Sequence, residues 1–333
     1  MRERERFSAA VLALDPAAEV ARIAAAVRRQ LAGELKRRGL VVALSGGVDS
    51  SVVAALCVEA IGRDRVFGLR LPERESSSAT RELGRRIGDH LGIAALEEDI
   101  TPVLESVGCY RRRDAAIRTV IPEYGPGYAC KLVLPAGPTE PGLRLFSLVV
   151  SCPGGEVVER RLPHEAYLEV VAASNFKQRV RKMLEYHHAE RLHYAVAGTS
   201  NRLEYDQGFF VKGGDGAADL KPIAHLYKTQ VYQLAEHLGL PEAIRRQVPT
   251  TDTYPMAQTQ EEFYFSLPWS AMDLCLYGVN HQVPAGDVAA AMGLEEERVQ
   301  RVYRDIEQKR RTTRYLHLSP RLVEAVSEVE PRR

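Results

Sequence analysis

Long apolar runs are missing: no stretch of the 333-residue chain approaches 18 consecutive apolar residues, so no membrane-spanning helix is expected. The charged alternation at residues 2–6 leads into no apolar signal core, and a cytoplasmic protein is the expectation. Cysteine is scarce. Cys57, Cys109, Cys130, Cys152 and Cys275 are odd in number and form no C-x-x-C pair, which excludes a disulfide framework and leaves reduced thiols as the expected state. A surplus of one charge is missing too, because 45 Lys+Arg against 44 Asp+Glu leave a formal net charge of +1. Such a chain has no global field to gather nucleic acid or anionic lipid, so phosphate recognition has to be local. The basic runs at residues 111–113 and 309–311 lack interleaved aromatics and read as solvated faces. His187, His188 and His193 lack the spacing of a helical metal pair.

What is present is a globular composition, 45% apolar and 27% charged, sufficient for a sizeable core. Apolar periodicity predicts a helix over 16–38, a strand over 40–44, a helix over 50–61, a strand over 66–71 and a helix over 76–91. That alternation means a doubly wound parallel sheet in an α/β domain spanning residues 1–333. The theme returns with a helix over 167–190, a strand over 194–197 and a helix over 227–238 that Gly239 stops. Residues 125–164 break the pattern. Their apolar runs at 143–151 and 157–162 flank Pro153-Gly154-Gly155 and predict a β-hairpin, read as an inserted segment. Helices over 286–292 and 295–311 make up a C-terminal helical part at residues 282–316.

The chemistry concentrates first in Ser45-Gly46-Gly47-Val48-Asp49-Ser50-Ser51, which lies between a predicted strand ending in Ala43-Leu44 and a predicted helix. Two glycines permit a tight turn whose free N–H groups, with those of the following helix N-terminus, can cradle a phosphate chain. The hydroxyls of Ser45, Ser50 and Ser51 are expected to add donors. Asp49 cannot serve phosphate directly, since like charges repel; its natural role is to hold Mg²⁺ that bridges phosphate oxygens. Neither G-x-x-x-x-G-K-[ST] nor G-x-G-x-x-G occurs, so a Walker loop and a dinucleotide fingerprint are excluded.

The S-G-G-x-D-S element resembles the pyrophosphate loop of the N-type ATP pyrophosphatases, which split ATP into AMP and pyrophosphate while adenylating a substrate oxygen. Two further segments narrow the resemblance to ammonia-dependent NAD synthetases. Asn175-Phe176-Lys177-Gln178-Arg179-Val180-Arg181-Lys182-Met183 is similar to their N-x-x-x-R-x-R-x-M helix. Residues 197–230, with Gly198-Thr199, Glu204, Gly208, Phe210, Lys212, Gly214-Asp215-Gly216, Asp219, Pro222-Ile223 and Lys228, are similar to the run that follows it. Pro249-Thr250 ahead of Asp252 matches one more element.

The resemblance implies the adenine nucleotide alpha hydrolase-like fold. It also implies ATP contacts at Ala43, Leu44, Ser45, Gly46, Gly47, Val48, Asp49, Ser50, Thr199, Lys228 and Thr250, and Mg²⁺ held by Asp49 and Glu204. Arg179, Lys212, Asp219, Gln308 and Lys309 would hold the substrate; at Gln308 this chain departs from the His-Lys pair frequent in the family. By the same resemblance, the carboxylate of deamido-NAD attacks the α-phosphorus of ATP, ammonia then converts the acyl-adenylate to the amide, and no side-chain nucleophile is needed. The chain lacks the Glu/Lys/Cys amidase signature of larger NAD synthetases, so free ammonia or a separate donor is expected. A homodimer is implied, with no nucleic-acid or membrane partner. Whether the acid is deamido-NAD or another carboxylate stays open at this level.

Overall fold

Asp15 accepts the Ala18 N–H at 3.1 Å and Pro16 opens the first turn, so the helix α1 (Pro16–Arg29) starts where the chain's capping residues place it. In this computed structural model, residues 6–133, 146–247, 253–265 and 267–329 are described. The elements then run β1 (Leu40–Ala43), α2 (Val48–Ile61), β2 (Val66–Arg70), α3 (Ser78–Leu91), β3 (Ala94–Glu97), α4 (Thr101–Ser106) and α5 (Cys109–Arg118). Next come β4 (Ala129–Val133), β5 (Ser147–Ser151), β6 (Val157–Arg161), α6 (His164–Ser174), α7 (Phe176–Leu192) and β7 (Ala195–Ala197). The helices α8 (Arg202–Gln207), α9 (Lys228–His237), α10 (Glu242–Arg245), α11 (Gln260–Phe263), α12 (Trp269–Asn280), α13 (Ala285–Met292) and α14 (Glu296–Thr313) complete the order.

Among the described residues the central sheet has the order β3-β2-β1-β7, and every pairing in it is parallel. Leu40 aligns with Val66 on one side and Ala195 on the other. The chain steps outward from β1 to β3, then returns to lay β7 against the free edge of β1, so the order reverses there. Ligands of open α/β sheets bind at such a switch point, beyond the carboxyl ends of the strands. Side chains alternate between the faces: Leu40 and Val42 pack with Ile23, Val52, Leu56 and Leu234 on one side. Val41 packs with Leu104, Val180 and Val196 on the other. Both faces are covered, which confirms the doubly wound reading.

The predicted hairpin is present as β5 and β6, paired from Ser147↔Arg161 to Ser151↔Val157 around a turn in which Gly155 has φ +85°. The structure adds a third strand, β4, antiparallel to β5, that the sequence reading missed. Five residues with Lys131 projecting between Cys130 and Leu132 carry too short a pattern to be recognised without the partner strand. Within the described residues β5 begins at Ser147; residues 143–145 of the predicted strand lie outside them. Cys130, Leu132, Leu148 and Val150 are fully buried against Ile117 and Val170 of α5 and α6, so this small sheet packs rather than standing free. The predicted helix over 167–190 is two helices meeting at Asn175. Ser174 Oγ donates to the Val170 carbonyl at 2.8 Å, a back-bond that bends helices.

All five cysteines are free. Among the described residues no helix is long and apolar enough to cross a membrane.

Candidate active site

The loop after β1 turns at Gly46, which has φ +79°; a Cβ there would lie 2.7 Å from Leu83 Cβ and 2.9 Å from the Thr80 carbonyl. Only glycine fits. Gly47 differs, because a Cβ would meet nothing nearer than Ser45 Oγ at 3.5 Å. Gly47 lines the cavity, and protein atoms do not crowd its Cβ position. Gly47 is the N-cap of α2 and supplies no side-chain cap, so the first amides of this 14-residue helix are free to meet anionic oxygens. Ser45 Oγ and Ser50 Oγ lie 3.0 Å apart, and Ser50 also donates to the Gly47 carbonyl. Ser51 does not join them as expected: fully buried, it donates to the Gly47 carbonyl at 2.8 Å and pins the turn from behind.

Asp49 and Glu204 come from opposite sides of the switch point, and Asn201 joins them. Asn201 Nδ2 donates to Asp49 Oδ1 at 3.1 Å, while Glu204 Oε2 accepts the Asn201 backbone N–H at 3.2 Å. The second half of this contact is a capping box at the start of α8. Gln260 Nε2 donates to the other Glu204 oxygen at 3.0 Å. Glu204 can be reached from the cavity but is enclosed by protein elsewhere. Burial, and then the like charge of Asp49, push its pKa up to about 7. Lys228, buried at the start of α9, forms an ion pair with Asp49. Burial disfavours its charge, but the carboxylates of Asp49 and Glu204 outweigh that and raise its pKa.

The start of α9 is itself held from α12. Asp273 accepts the Lys228 and Thr229 N–H groups at 3.2 and 2.7 Å and the Thr229 hydroxyl at 2.8 Å. Its burial raises its pKa to about 6 against those hydrogen bonds. Asn201, Gln260 and Asp273 were not foreseen as site residues. Only Asn201 left a local signal, the N-x-x-E spacing of the capping box; Gln260 and Asp273 act through contacts 56 and 45 residues distant in sequence.

The loop, Glu204, Lys228 and Gln260 face a cavity of about 460 Å³, while Asn201 and Asp273 support them from behind its wall. Ala43, Leu44, Ser45, Gly46, Gly47, Val48, Asp49, Ser50, Thr199, Glu204 and Lys228 all line it, whereas Thr250 lies outside the described residues. The residues expected to hold substrate are not on its wall. Arg179 is exposed and donates to the Lys212 carbonyl at 3.3 Å. Lys212 Nζ donates to the Tyr315 and Leu318 carbonyls at 2.8 and 3.2 Å. Asp219, also exposed, accepts the Val196 N–H at 2.7 Å. Gln308 is exposed on α14, and buried Lys309 donates to the Tyr264 carbonyl at 2.6 Å and pairs with Asp305 at 3.0 Å.

A phosphate cradle at the switch point of a parallel sheet, faced by two carboxylates and a lysine, defines a nucleotide-binding α/β enzyme. The family model described as NAD synthase matches residues 19–118 and 155–315. An NH(3)-dependent NAD(+) synthetase of Mesorhizobium japonicum is 58% identical over 318 residues, 96% of this chain and 100% of the relative. Its counterpart in Rhizobium meliloti is 56% identical, covering 97% of each chain. Among solved structures, an NH3-dependent NAD synthetase from Campylobacter jejuni shares the fold with a TM-score of 0.61 at 20% identity, over 93% of this chain and 100% of that one. The chain therefore belongs to the NAD synthase family, whose amide-forming ligases use ATP.

Proposed function

We propose that this protein converts deamido-NAD, ATP and free ammonia to NAD, AMP and pyrophosphate, with Asp49 and Glu204 as the Mg²⁺ ligands. The carrying observation is the convergence of the Ser45–Ser50 loop, Asp49, Glu204 and Lys228 on one cavity wall, with Asn201 bonded to both carboxylates. Relatives matched over nearly their whole length carry the name NH(3)-dependent NAD(+) synthetase.

The donor set fits a hard cation. Two carboxylates are present, and among the described residues no cluster of three or more His, Cys, Asp or Glu is arranged for a metal. Mg²⁺ characteristically takes one or two carboxylates and completes its shell with water and phosphate oxygens. When bound, it neutralises charge on the triphosphate. The chain's own groups do the rest. The α2 amides and the Ser45 and Ser50 hydroxyls hold phosphate oxygens, and Lys228 offsets the charge that grows on pyrophosphate as the acid oxygen attacks the α-phosphorus. Ammonia then attacks the acyl carbon and AMP leaves. Catalysis is positioning and charge neutralisation, so no side-chain nucleophile is required.

Thr199 and Thr250 are proposed to contact ATP; Arg179, Lys212, Asp219, Gln308 and Lys309 are proposed substrate contacts outside the cavity wall, where a second subunit of a cytoplasmic homodimer would close the site. The test is AMP release from ATP, Mg²⁺ and ammonia with and without deamido-NAD. Release that depends on deamido-NAD supports the reading. Release with a different acid only, or none, overturns it.

A further inference from the structure

The family model leaves residues 119–154 unmatched, yet the structure brings one described side chain of that segment, Phe146, to the cavity wall. Its ring lies parallel to Tyr167 of α6, with centroids 5.0 Å apart and planes at 10°, and touches Phe263 of α11 at 6.0 Å. Phe263 in turn meets Tyr254 and Phe209 at 5.8 Å each. Phe146, Tyr167, Phe209, Tyr254 and Phe263 all line the cavity. Phe146, Tyr167 and Phe263 remain half-buried, so ring surface stays open to a ligand.

Position distinguishes this wall from the nucleotide seat. Gln260, which holds Glu204, and Phe263 are three residues apart on α11, so the aromatic wall stands one helical turn from the carboxylates. Phe209 belongs to the loop that carries Lys212. A second apolar surface, made of Ala43, Leu44, Leu69 and Leu71 at the strand ends, leads straight into the phosphate loop that begins at Ser45. Three flat groups have to be accommodated in the proposed reaction: the adenine of ATP, the adenine of the dinucleotide acid and its pyridinium ring. Of the two on the acid, only the pyridinium ring carries the reacting carboxylate and has to lie beside the nucleotide seat. The adenine of ATP needs a neutral apolar slot next to its phosphates, which the strand ends supply. A pyridinium ring is flat and cationic, and stacked aromatic faces attract such a group through both stacking and the ring quadrupole.

Resting on the function proposed above, we propose that Phe146, braced by Tyr167, is the face on which the pyridinium ring of the acid substrate stacks. The inserted segment is then a determinant of acid specificity. The experiment measures steady-state kinetics of Phe146→Ala, Phe146→Leu and Phe146→Tyr with deamido-NAD and ATP varied separately, alongside melting temperatures. The expected result is a KM for deamido-NAD raised about tenfold in the Ala and Leu variants, equivalent to ~1.4 kcal/mol. The KM for ATP stays unchanged, and Phe146→Tyr keeps near-parental values. The Leu variant preserves apolar bulk, so it serves if the Ala variant does not fold. A raised KM for ATP alone, or a Leu variant indistinguishable from the parent, overturns the proposal while the function stands. A parent that releases no AMP with deamido-NAD overturns both.

Discussion

Glu204 is held at a pKa of about 7 by its burial and by Asp49 across Asn201, an arrangement that costs stability in the empty protein and gains from a cation. Asp49→Asn and Glu204→Gln are therefore expected to lower kcat by on the order of 10² or more, while Glu204→Gln leaves the melting temperature unchanged or higher. Parental AMP production by either folded variant would count against the metal assignment. The two loop glycines predict opposite defects. Gly46→Ala forces a Cβ to 2.7 Å from Leu83 and should unfold or severely destabilise the protein. Gly47→Ala meets only Ser45 Oγ at 3.5 Å, so it should fold normally and raise the KM for ATP. Equal melting temperatures for the two variants would refute the distinction. At this scale the loop was readable in advance because every donor is local. Ser51 was not, since the direction of its hydroxyl depends on how the turn closes.

Elements are joined beside the cavity by a buried ion network. Arg113 of α5 makes paired hydrogen bonds to Glu75 at 2.8 and 2.9 Å. Lys177 of α7, 1% exposed, donates to Glu73, Glu75 and the Thr253 carbonyl at 2.7–2.9 Å. Tyr110 donates to Glu73 at 2.6 Å. The network ties the loop after β2 to both helices and to the chain segment at Thr253. Burial would raise the pKa of Glu75, but Arg113 and Lys177 outweigh it and hold the group at about 2. A folded-state pKa below the ordinary 4.5 adds stability that is complete above pH ~5 and disappears as pH falls toward 2. Glu75→Gln should thus cost about 3 kcal/mol at pH 7 and progressively less as pH falls. Melting temperatures of parent and variant that keep a constant gap from pH 7 to pH 3 would contradict this. Nothing in the spacing of Glu73, Glu75, Arg113 and Lys177 announces the network, because its members are up to 104 residues apart.

For the molecule as a whole, Leu168 and Met183 stand 50% and 55% exposed on α6 and α7, the helices that lead to Arg179. An isologous dimer would cover such apolar surface and place two sites per assembly. We expect a dimer by sedimentation, shifted toward monomer by Met183→Asp, with the KM for deamido-NAD rising as the dimer is lost. A fully active monomer at assay concentration would dismiss the dimer and, with it, closure of the substrate site by a second subunit.

By itself the sequence determined the alternating α/β plan, because apolar periodicity and Gly, Pro and Asp punctuation are local. The phosphate loop and the family also followed from it, since contiguous motifs carry them. Tertiary structure alone decided that Asn201, already paired locally with Glu204, also reaches Asp49, that Asp273 caps the helix bearing Lys228, and that β4 turns the expected hairpin into a three-stranded sheet. It also decided that Phe146 reaches the cavity. The reason is the same in each case: these contacts form between segments distant along the chain, and their geometry is set by how the layers pack, which no local pattern of residues encodes.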